Sequence, residues 1–366
     1  MKYYIVAGEA SGDMHASNLM KGLKCMDTDA IFRFWGGDLM AAVAGIKPEK
    51  HYKDLAFMGF AEVLMNLSTI LKNLKKCKSD ISKFHPDALI LVDYPGFNLR
   101  IAEYAHNLNI KVIYYISPQI WAWKESRIHK IKKFVDKMLV ILPFEKDFYL
   151  KHKYSADYVG HPLLDSLEPI LEKSESATKK KIAIVPGSRV QEIERMLPVM
   201  LEATDSFGDY EIVIAASNHI DENIYKKIIG TRKVKIIFNN LHDAVKNSDA
   251  ALVTSGTATL ETALLGIPQL VCYKANLLSY FIAKKLVKVK FISLVNLILD
   301  KEVVKELIQN EMNVANVKRE LTELLYNDKK RQTIKDSYMI LYKNLGGKGA
   351  SERASKIIIN FLTNSK

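Results

Sequence analysis

Two short runs in the second half of the chain contain the residue types that bind phosphate. The first follows an apolar run and leads into a helical pattern, and its candidate ligands are Ser255, Gly256 and Thr257. Small hydroxyl residues and a glycine at a helix start leave backbone N–H groups able to hold an anion. Glu261, about one turn further on, could accept hydrogen bonds from sugar hydroxyls. A capping box that only begins the helix is the alternative interpretation.

The second run is Pro186-Gly187-Ser188-Arg189, which also lies between an apolar run and a helical pattern. An arginine can bind a diphosphate through two parallel hydrogen bonds. A structural turn with an arginine on the surface fits the same residues. Because both runs belong to one half of the chain, we expect Gly187, Ser188 and Arg189 to share one diphosphate site with the first run.

A glycine-containing run follows the first apolar stretch, and its candidate residues are Gly8, Glu9, Ser11, Gly12 and Asp13. Its spacing is neither the dinucleotide-binding Gly-x-Gly-x-x-Gly nor a Walker loop. The two carboxylates would repel a phosphate. We therefore expect a loop that approaches its ligand closely and meets hydroxyl groups.

Asp93 ends another apolar run, just before a turn that contains Pro95 and Gly96. A carboxylate at the end of a buried strand is well placed to act as a general base. A helix N-cap or a turn aspartate explains the same position.

No pattern predicts a metal site or a cofactor. Asp27 and Asp29 have the Asp-x-Asp spacing that some glycosyltransferases use for Mn²⁺, but they follow a helical pattern and are interpreted as a turn. The nine histidines lack ligand spacing. The three cysteines lie far apart and indicate neither a disulfide framework nor a zinc site. The apolar run Tyr3–Ala7 is too short for a signal peptide and is interpreted as a first strand, which favours a reducing cytoplasm.

Phe57–Leu71 is an apolar segment with one charge, and four lysines follow it between residues 72 and 78. A helix of this kind could enter an anionic leaflet, with membrane contacts expected at Phe57, Met58 and Leu64. Leu277–Lys290 has a comparable pattern. A buried helix with a solvated basic end is the alternative for both.

Composition narrows the class of protein. The 366 residues suffice for about two domains, and 48% hydrophobic with 26% charged residues excludes a disordered or fibrous chain. With 53 basic and 41 acidic residues, the net charge of +12 favours anionic partners. Dispersed lysines without an aromatic platform argue against nucleic acid. No apolar run approaches the ~20 residues of a transmembrane helix.

Short apolar runs alternate with helical patterns, which predicts an α/β fold with two Rossmann-like, doubly wound domains facing a cleft. The polar run Glu168–Lys181 is the expected linker, which gives domains of residues 1–167 and 168–345. The predicted strands are Tyr3–Ala7, Ile31–Trp35, Ala88–Val92, Val112–Ile116, Met138–Ile141, Ile182–Val185, Glu211–Ala215, Val234–Phe238, Ala250–Val253 and Gln269–Cys272.

Nine sequence blocks, in order, resemble those of bacterial lipid-A-disaccharide synthases, which are family 19 glycosyltransferases of the two-Rossmann GT-B architecture. They span most of the chain and include the long, specific runs VAGEASGD, YISPQIWAW and LPFEKDFY. One departure is Gly96, where the family block has a second aspartate. The blocks are Val6–Asp13, Phe57–Leu64, Val92–Asn98, Tyr115–Trp123, Leu142–Tyr149, Val159–Asp165, Pro186–Arg189, Ser255–Glu261 and Phe291–Leu297.

The resemblance implies a reaction. UDP-2,3-diacylglucosamine and 2,3-diacylglucosamine 1-phosphate would give the β(1→6)-linked disaccharide 1-phosphate of lipid A biosynthesis and UDP, without a cofactor. It implies Asp93 as base and Arg189, Glu261 and Asn296 as residues of the UDP-sugar site. The acceptor would bind the first domain and the UDP-sugar the second.

The resemblance also implies how the chain is assembled and where it acts. A C-terminal helix (346–366) would return to the first domain, and C-terminal segments could be exchanged in a homodimer. The protein would be cytoplasmic and peripheral to the inner membrane. The alternatives are another UDP-sugar enzyme, such as a UDP-N-acetylglucosamine 2-epimerase or a peptidoglycan-type transferase, and a non-catalytic protein that binds lipid or nucleic acid.

Overall fold

The computed structural model describes residues 1–55, 67–167, 180–276 and 289–364. Phe57, Met58 and Leu64, and most of the predicted linker and of Leu277–Lys290, lie outside these ranges. The chain divides into two compact units: unit 1 is Met1–Ser166 with Leu345–Lys366, and unit 2 is Leu167–Asn344. None of the described helices has the length and apolarity needed to cross a bilayer.

Unit 1 is built on a seven-stranded, all-parallel sheet of order β3-β2-β1-β4-β5-β6-β7. Its strands are β1 (Lys2–Ala7), β2 (Ile31–Gly36), β3 (Lys50–His51), β4 (Ala88–Val92), β5 (Lys111–Tyr115), β6 (Lys137–Val140) and β7 (Asp157–Tyr158). Its helices up to residue 166 are α1 (Ala10–Met26), α2 (Asp38–Ala44), α3 (Leu67–Phe84), α4 (Pro95–Asn107), α5 (Ile120–Trp123), α6 (Ile128–Phe134), α7 (Pro143–Lys151) and α8 (Leu163–Ser166), with 3₁₀ turns at Tyr52–Asp54 and Glu125–Arg127.

Unit 2 repeats this plan with six parallel strands in the order β10-β9-β8-β11-β12-β13. The strands are β8 (Lys181–Val185), β9 (Glu211–Ala216), β10 (Val234–Phe238), β11 (Ala250–Thr254), β12 (Gln269–Tyr273) and β13 (Glu306–Ile308). Its helices are α9 (Val190–Thr204), α10 (Glu222–Ile229), α11 (Leu241–Val245), α12 (Thr257–Leu264), α13 (Leu294–Leu299), α14 (Val314–Tyr326) and α15 (Asp328–Asn344), with a 3₁₀ turn at Gln309–Glu311.

The strand order reverses beside the first strand of each unit, between β1 and β4 and between β8 and β11. Neighbouring turns lead away in opposite directions at such a switch point and leave a crevice at the carboxyl ends of the strands. β4 and β11 are buried along their whole length. Most of the polar side chains beside these crevices are therefore expected in the turns that follow the strands.

The predicted α/β class and all the predicted strands are confirmed. Three short edge strands, β3, β7 and β13, carry no apolar run long enough to predict. The predicted loop Gly8–Asp13 is wrong in its second part, because α1 begins at Ala10 and Ser11, Gly12 and Asp13 lie in its first turns.

The last helix, α16 (Ala350–Thr363), belongs to unit 1 and packs on α1, as predicted for the C-terminal helix. Three consecutive backbone N–H groups from Gly349 onward donate to the carboxylate of Asp165 at 2.7–3.1 Å. On the other side, a Cβ at Gly22 would lie 2.4 Å from Ser355 Oγ. The two helices therefore approach closely because position 22 has no side chain.

Candidate functional site

Unit 2 contains a cavity of about 550 Å³ at the carboxyl ends of β8 and β11. The turns after these two strands form much of its wall. Seven of the predicted UDP-sugar residues line it together: Gly187, Ser188, Arg189, Ser255, Gly256, Thr257 and Glu261. The sequence prediction that both turns contribute to one site is therefore consistent with their common place in this cavity.

The turn after β8 is shaped by Glu192 in the first turn of α9. Gly187 has a φ of +107°, and a Cβ there would lie 2.4 Å from Glu192 Oε2. The backbone N–H of Ser188 donates to the same oxygen at 3.2 Å, and Arg189 Nη1 lies 3.4 Å from Glu192 Oε1. Glycine is needed here both for its backbone angle and for the close approach of the carboxylate.

The turn after β11 presents the uncapped start of α12 to the cavity. Its N-cap is Gly256, which has no side chain to accept a hydrogen bond from the first turn. Ser255 Oγ instead donates to the carbonyl of Ile292 at 2.8 Å. The capping-box alternative is therefore wrong, and the first N–H groups of α12 have the orientation and charge that favour an anion.

Glu261 lies one turn into α12, at the wall of the cavity. Burial raises the pKa of its carboxyl to about 6. Within the described residues no other side chain forms a hydrogen bond with this carboxylate. Its oxygens suit the hydroxyl groups of a sugar, which donate hydrogen bonds without adding negative charge.

Asn296 does not line the cavity, although it belongs to a predicted UDP-sugar block. It is fully buried, and its Nδ2 donates to the carbonyl of Val304 and to Glu306 Oε1 at 2.8 and 2.9 Å. Glu306 also accepts from the N–H of Ile292, whose carbonyl holds Ser255. The structure therefore places Asn296 behind the cavity wall, where it orders the segment that supports Ser255.

The rest of the cavity wall comes from turns that sequence analysis did not single out. Ser217 follows β9, and Asn239 and Asn240 follow β10. The side chain of Asn239, whose φ is +52°, accepts from the N–H of Asn218 at 3.0 Å and so joins the two turns. The signal that could have found them is their position directly after Rossmann strands.

In unit 1, Asp93 follows β4 in an unusual backbone conformation. Asp93 and Tyr94 have φ values of +44° and +48°, in the left-handed region. The carbonyl of Asp93 accepts from Tyr114 Oη at 2.6 Å and from Asn98 Nδ2 at 2.7 Å. The N-cap of α4 is Tyr94, so the N-cap interpretation of Asp93 is wrong.

The carboxyl group of Asp93 is mostly buried beside a second carboxylate. Burial, and then the negative charge of Glu9, raise its pKa to about 7, while a hydrogen bond from the N–H of Tyr94 acts in the opposite direction. A carboxyl group with a pKa near neutrality can exchange a proton at physiological pH. Among the described residues, no side chain donates a hydrogen bond to it.

Gly8 and Glu9 form the turn after β1, next to the turn that holds Asp93. A Cβ at Gly8 would lie 2.4 Å from the ring of Tyr94, so the two turns touch only because residue 8 is glycine. Gly12, inside α1, faces β1, since a Cβ there would lie 3.3 Å from that of Ala7. Ser11 is exposed on the first turn of α1.

Asp13 does not have a free carboxylate for a ligand. It is buried and accepts from the backbone N–H groups of Gly37, Leu39 and Met40 at 2.7, 3.1 and 3.2 Å. These groups lie at the start of α2, so Asp13 caps that helix from outside. We conclude that Asp13 stabilises the fold and that Glu9 is the carboxylate that influences Asp93.

Asp27, the first residue of the Asp-x-Asp pattern, is also engaged in the fold. It accepts from the N-terminal amine at 2.8 Å and from Tyr3 Oη at 2.9 Å, in the turn after α1. In the described parts of the chain, no three His, Cys, Asp or Glu residues are grouped so that they could hold a metal ion.

The raised pKa of Asp93 predicts a pH-dependent effect of Asp93→Asn on stability. The folded protein retains this proton up to about pH 7, whereas the unfolded chain loses it near pH 4. The stabilising contribution is therefore complete below pH 4 and lost as the pH rises through 7. Asparagine suits a positive φ, so the variant should melt at a higher temperature than wild type at pH 8 and at a similar one at pH 4.5.

Thermal melts between pH 4.5 and 8 measure this difference. In a Glu9→Gln background the pKa of Asp93 in the folded protein falls, so the stabilisation by Asp93→Asn should reach its plateau at a lower pH and should be smaller at pH 8. A difference in melting temperature that does not change with pH would show that the carboxyl of Asp93 is not perturbed.

Comparison with known proteins gives consistent results. The family model for lipid-A-disaccharide synthetase matches residues 3–360. The lipid-A-disaccharide synthase of Syntrophus aciditrophicus is 38% identical over 376 residues, covering 99% of this chain and 98% of the relative. That of Nitrosococcus oceani is 39% identical over 373 residues, covering 98% and 95%.

Solved structures with the same fold include two UDP-GlcNAc 2-epimerases. The enzyme from Neisseria meningitidis bound to UDP-GlcNAc has a TM-score of 0.67 at 15% identity, with both chains covered completely. That from Methanocaldococcus jannaschii with UDP-GlcNAc and UDP has a TM-score of 0.66 at 14% identity, covering 98% of this chain and 100% of the other. At such identities the likeness concerns the fold alone. The family model and the relatives, which match along almost the whole sequence, show that this chain belongs to the lipid-A-disaccharide synthase family.

Proposed function

We propose that this chain is an inverting glycosyltransferase that joins UDP-2,3-diacylglucosamine to 2,3-diacylglucosamine 1-phosphate. The products are the β(1→6)-linked lipid A disaccharide 1-phosphate and UDP. The observation that carries the proposal is the unit 2 cavity, where Arg189 and the uncapped start of α12 meet within a chain that matches the family from residue 3 to 360.

The donor would bind through its UDP group to unit 2. Arg189 and the N–H groups at the start of α12 supply positive charge for the diphosphate, and Glu261 accepts hydrogen bonds from the ribose hydroxyls. Glu192, which folds the turn after β8, lies at the same wall. Its negative charge sets the position of Arg189 rather than that of the ligand.

Asp93 would act as the general base in a single displacement. The 6-hydroxyl oxygen of the acceptor attacks the anomeric carbon of the donor and forms the new C–O bond, while Asp93 takes the hydroxyl proton. The bond from the anomeric carbon to the UDP oxygen breaks, and UDP leaves with the electron pair. Attack opposite the leaving group inverts the anomeric configuration from α to β.

The charge that develops on the leaving UDP is stabilised by Arg189 and by the helix α12 dipole. Preorganised donors of this kind contribute most where charge grows during the reaction. No metal ion or other cofactor is required in this mechanism. A UDP-GlcNAc 2-epimerase or a peptidoglycan-type transferase is not favoured, because the likeness to the solved epimerases concerns the fold alone.

Asp93→Asn should reduce turnover by about 10²–10⁴-fold, which is the usual contribution of a general base. The purified protein is incubated with both acylated sugars, and the disaccharide and UDP are measured by mass spectrometry. The kcat/KM of wild type should rise with pH to a plateau above about 7, where Asp93 is ionised. A fully active Asp93→Asn enzyme would contradict the assignment of the base.

Product should still form in excess EDTA, because the proposed mechanism uses no metal ion. Loss of product formation in EDTA that Mg²⁺ restores would contradict the metal-free mechanism.

Arg189→Met should weaken UDP binding by about 10- to 100-fold, because it removes charged hydrogen bonds to the diphosphate. Isothermal titration calorimetry with UDP measures the effect. Arg319→Met is the matched control, since the Arg319 side chain is 64% exposed and that of Arg189 62%, and both contact a glutamate. Equal affinities of the Arg189→Met and Arg319→Met proteins would exclude Arg189 from the site.

The proposed site of action is the cytoplasmic surface of the inner membrane. α3 exposes Leu67 and Leu71, one helical turn apart, with exposed Lys72 and Lys75 beside them. Apolar side chains that enter the acyl boundary contribute up to ~1.5–3 kcal/mol each, and lysines near an anionic surface add about 1 kcal/mol each. The homodimer implied by the family resemblance stays a prediction.

The double variant Leu67→Ser/Leu71→Ser should sediment less with anionic liposomes than wild type, and binding of wild type should weaken as salt rises. The two leucines are 47% and 54% exposed, so their replacement leaves the core intact. Leu150→Ser is the matched control, because Leu150 is 65% exposed on α7 of the same unit. If the double variant sediments as well as the Leu150→Ser protein, α3 does not bind the membrane.

A further inference from the structure

The segment after β5 carries two cations against one exposed tryptophan, and the proposed mechanism uses none of the three. Lys124 Nζ lies 4.3 Å from the centre of the Trp123 ring, and the guanidinium carbon of Arg127 lies 5.6 Å from it. Trp123 is exposed and Arg127 is half-buried. The indole thus brings two positive charges close together.

This pair of cations lacks an acidic partner in the described parts of the chain, where neither forms an ion pair. Glu125, between them in sequence, pairs with His152 at 3.2 Å. Burial, and then the charge of Arg127, lower the pKa of Lys124. The two cations therefore repel each other, and an anion between them would remove that repulsion.

The segment is held firmly on its other side. Glu145 is buried, and its carboxylate accepts from Trp121 Nε1 at 3.2 Å and from the N–H of Leu142 at 3.0 Å. Ser117 Oγ and Tyr149 Oη are 2.7 Å apart. These contacts tie both ends of the Ser117–Trp121 stretch to the β6–α7 region, so the cations project from an ordered base.

The segment belongs to the same edge of the unit 1 sheet as Asp93. β4 and β5 are parallel neighbours, so the turns that follow them start side by side. The N–H of Asp93 donates to the carbonyl of Tyr115 at 3.2 Å, and Tyr114 Oη donates to the carbonyl of Asp93. Arg127 is close enough to Tyr114 for its charge to lower the pKa of that phenol, which burial raises.

We propose that Lys124 and Arg127, aligned on Trp123, bind the phosphate monoester of the acceptor sugar. This inference rests on the proposed function, in which the acceptor carries a phosphate at the far end of the ring from its attacking hydroxyl. A phosphate dianion accepts charged hydrogen bonds from both side chains and neutralises them together. Phosphate bound here would orient the acceptor for Asp93.

The test compares two acceptors that differ only in this group: 2,3-diacylglucosamine 1-phosphate and 2,3-diacylglucosamine. Wild type should prefer the phosphorylated acceptor by about 10- to 100-fold in kcat/KM, as expected for hydrogen bonds to a charged group. The Lys124→Gln/Arg127→Gln double variant should lose this preference and keep the wild-type kcat/KM on the unphosphorylated acceptor. Arg127→Lys should keep part of the preference.

Lys133→Gln is the matched control, because Lys133 lies 5.2 Å from the ring of Phe134 in the same unit, and it should keep the full preference. UDP affinity should be unchanged in the double variant. A double variant that still prefers the phosphorylated acceptor, or that binds UDP more weakly, would overturn the inference. If wild type makes no disaccharide from the phosphorylated acceptor, the proposed function itself fails.

A membrane phospholipid could supply the same phosphate chemistry, and a further measurement separates the two sources. Wild type and the double variant are sedimented with phosphatidylglycerol-containing vesicles without acceptor. Equal sedimentation with loss of acceptor preference supports the acceptor site. Weaker sedimentation of the double variant with equal loss of kcat/KM on both acceptors would assign the cations to the lipid surface and overturn the inference.

Discussion

Burial of the central parallel strands is the constraint on which both units depend. β4 and β11 have no exposed residue, and β1 and β8 are almost as deeply buried. A charged side chain within such a strand would lose its hydration at a high cost in free energy. The charged side chains that could bind a ligand or transfer a proton therefore lie in the turns at the carboxyl ends. The reversal of strand order opens a crevice there.

The two crevices carry different chemical groups. In unit 2, Arg189 and the N–H groups at the start of α12 supply the donors for a diphosphate, and Glu192 and Glu261 line the same cavity. In unit 1, Glu9 and the burial of Asp93 keep a carboxyl group close to its protonation midpoint at neutral pH. One unit is thus suited to hold an anion and the other to accept a proton, and a glycosyl transfer from a nucleotide sugar requires both.

The sequence alone predicts the strands and the turns after them, because apolar runs and glycines are local signals. It predicts less well what each polar residue in a turn does. Asp13 and Asp93 follow strands in similar contexts, yet only the structure shows that Asp13 binds α2, 24–27 residues away. Lys124 and Arg127 look like an ordinary solvated charge run until their common contact with the indole of Trp123 is known.

The hydrogen-bond partners of a buried polar side chain show whether it stabilises the fold or is available for a reaction. Asp13 and Asn296 use their side-chain oxygens on backbone N–H groups, so the fold itself explains their burial. The backbone of Asp93 is held by Tyr114 and Asn98 through its carbonyl, which leaves the carboxyl group out of that arrangement. Burial of a carboxyl that the fold does not use destabilises the ionised protein. A catalytic role would explain why such a group is retained, and for this reason we propose Asp93, rather than any other buried aspartate described in unit 1, as the base.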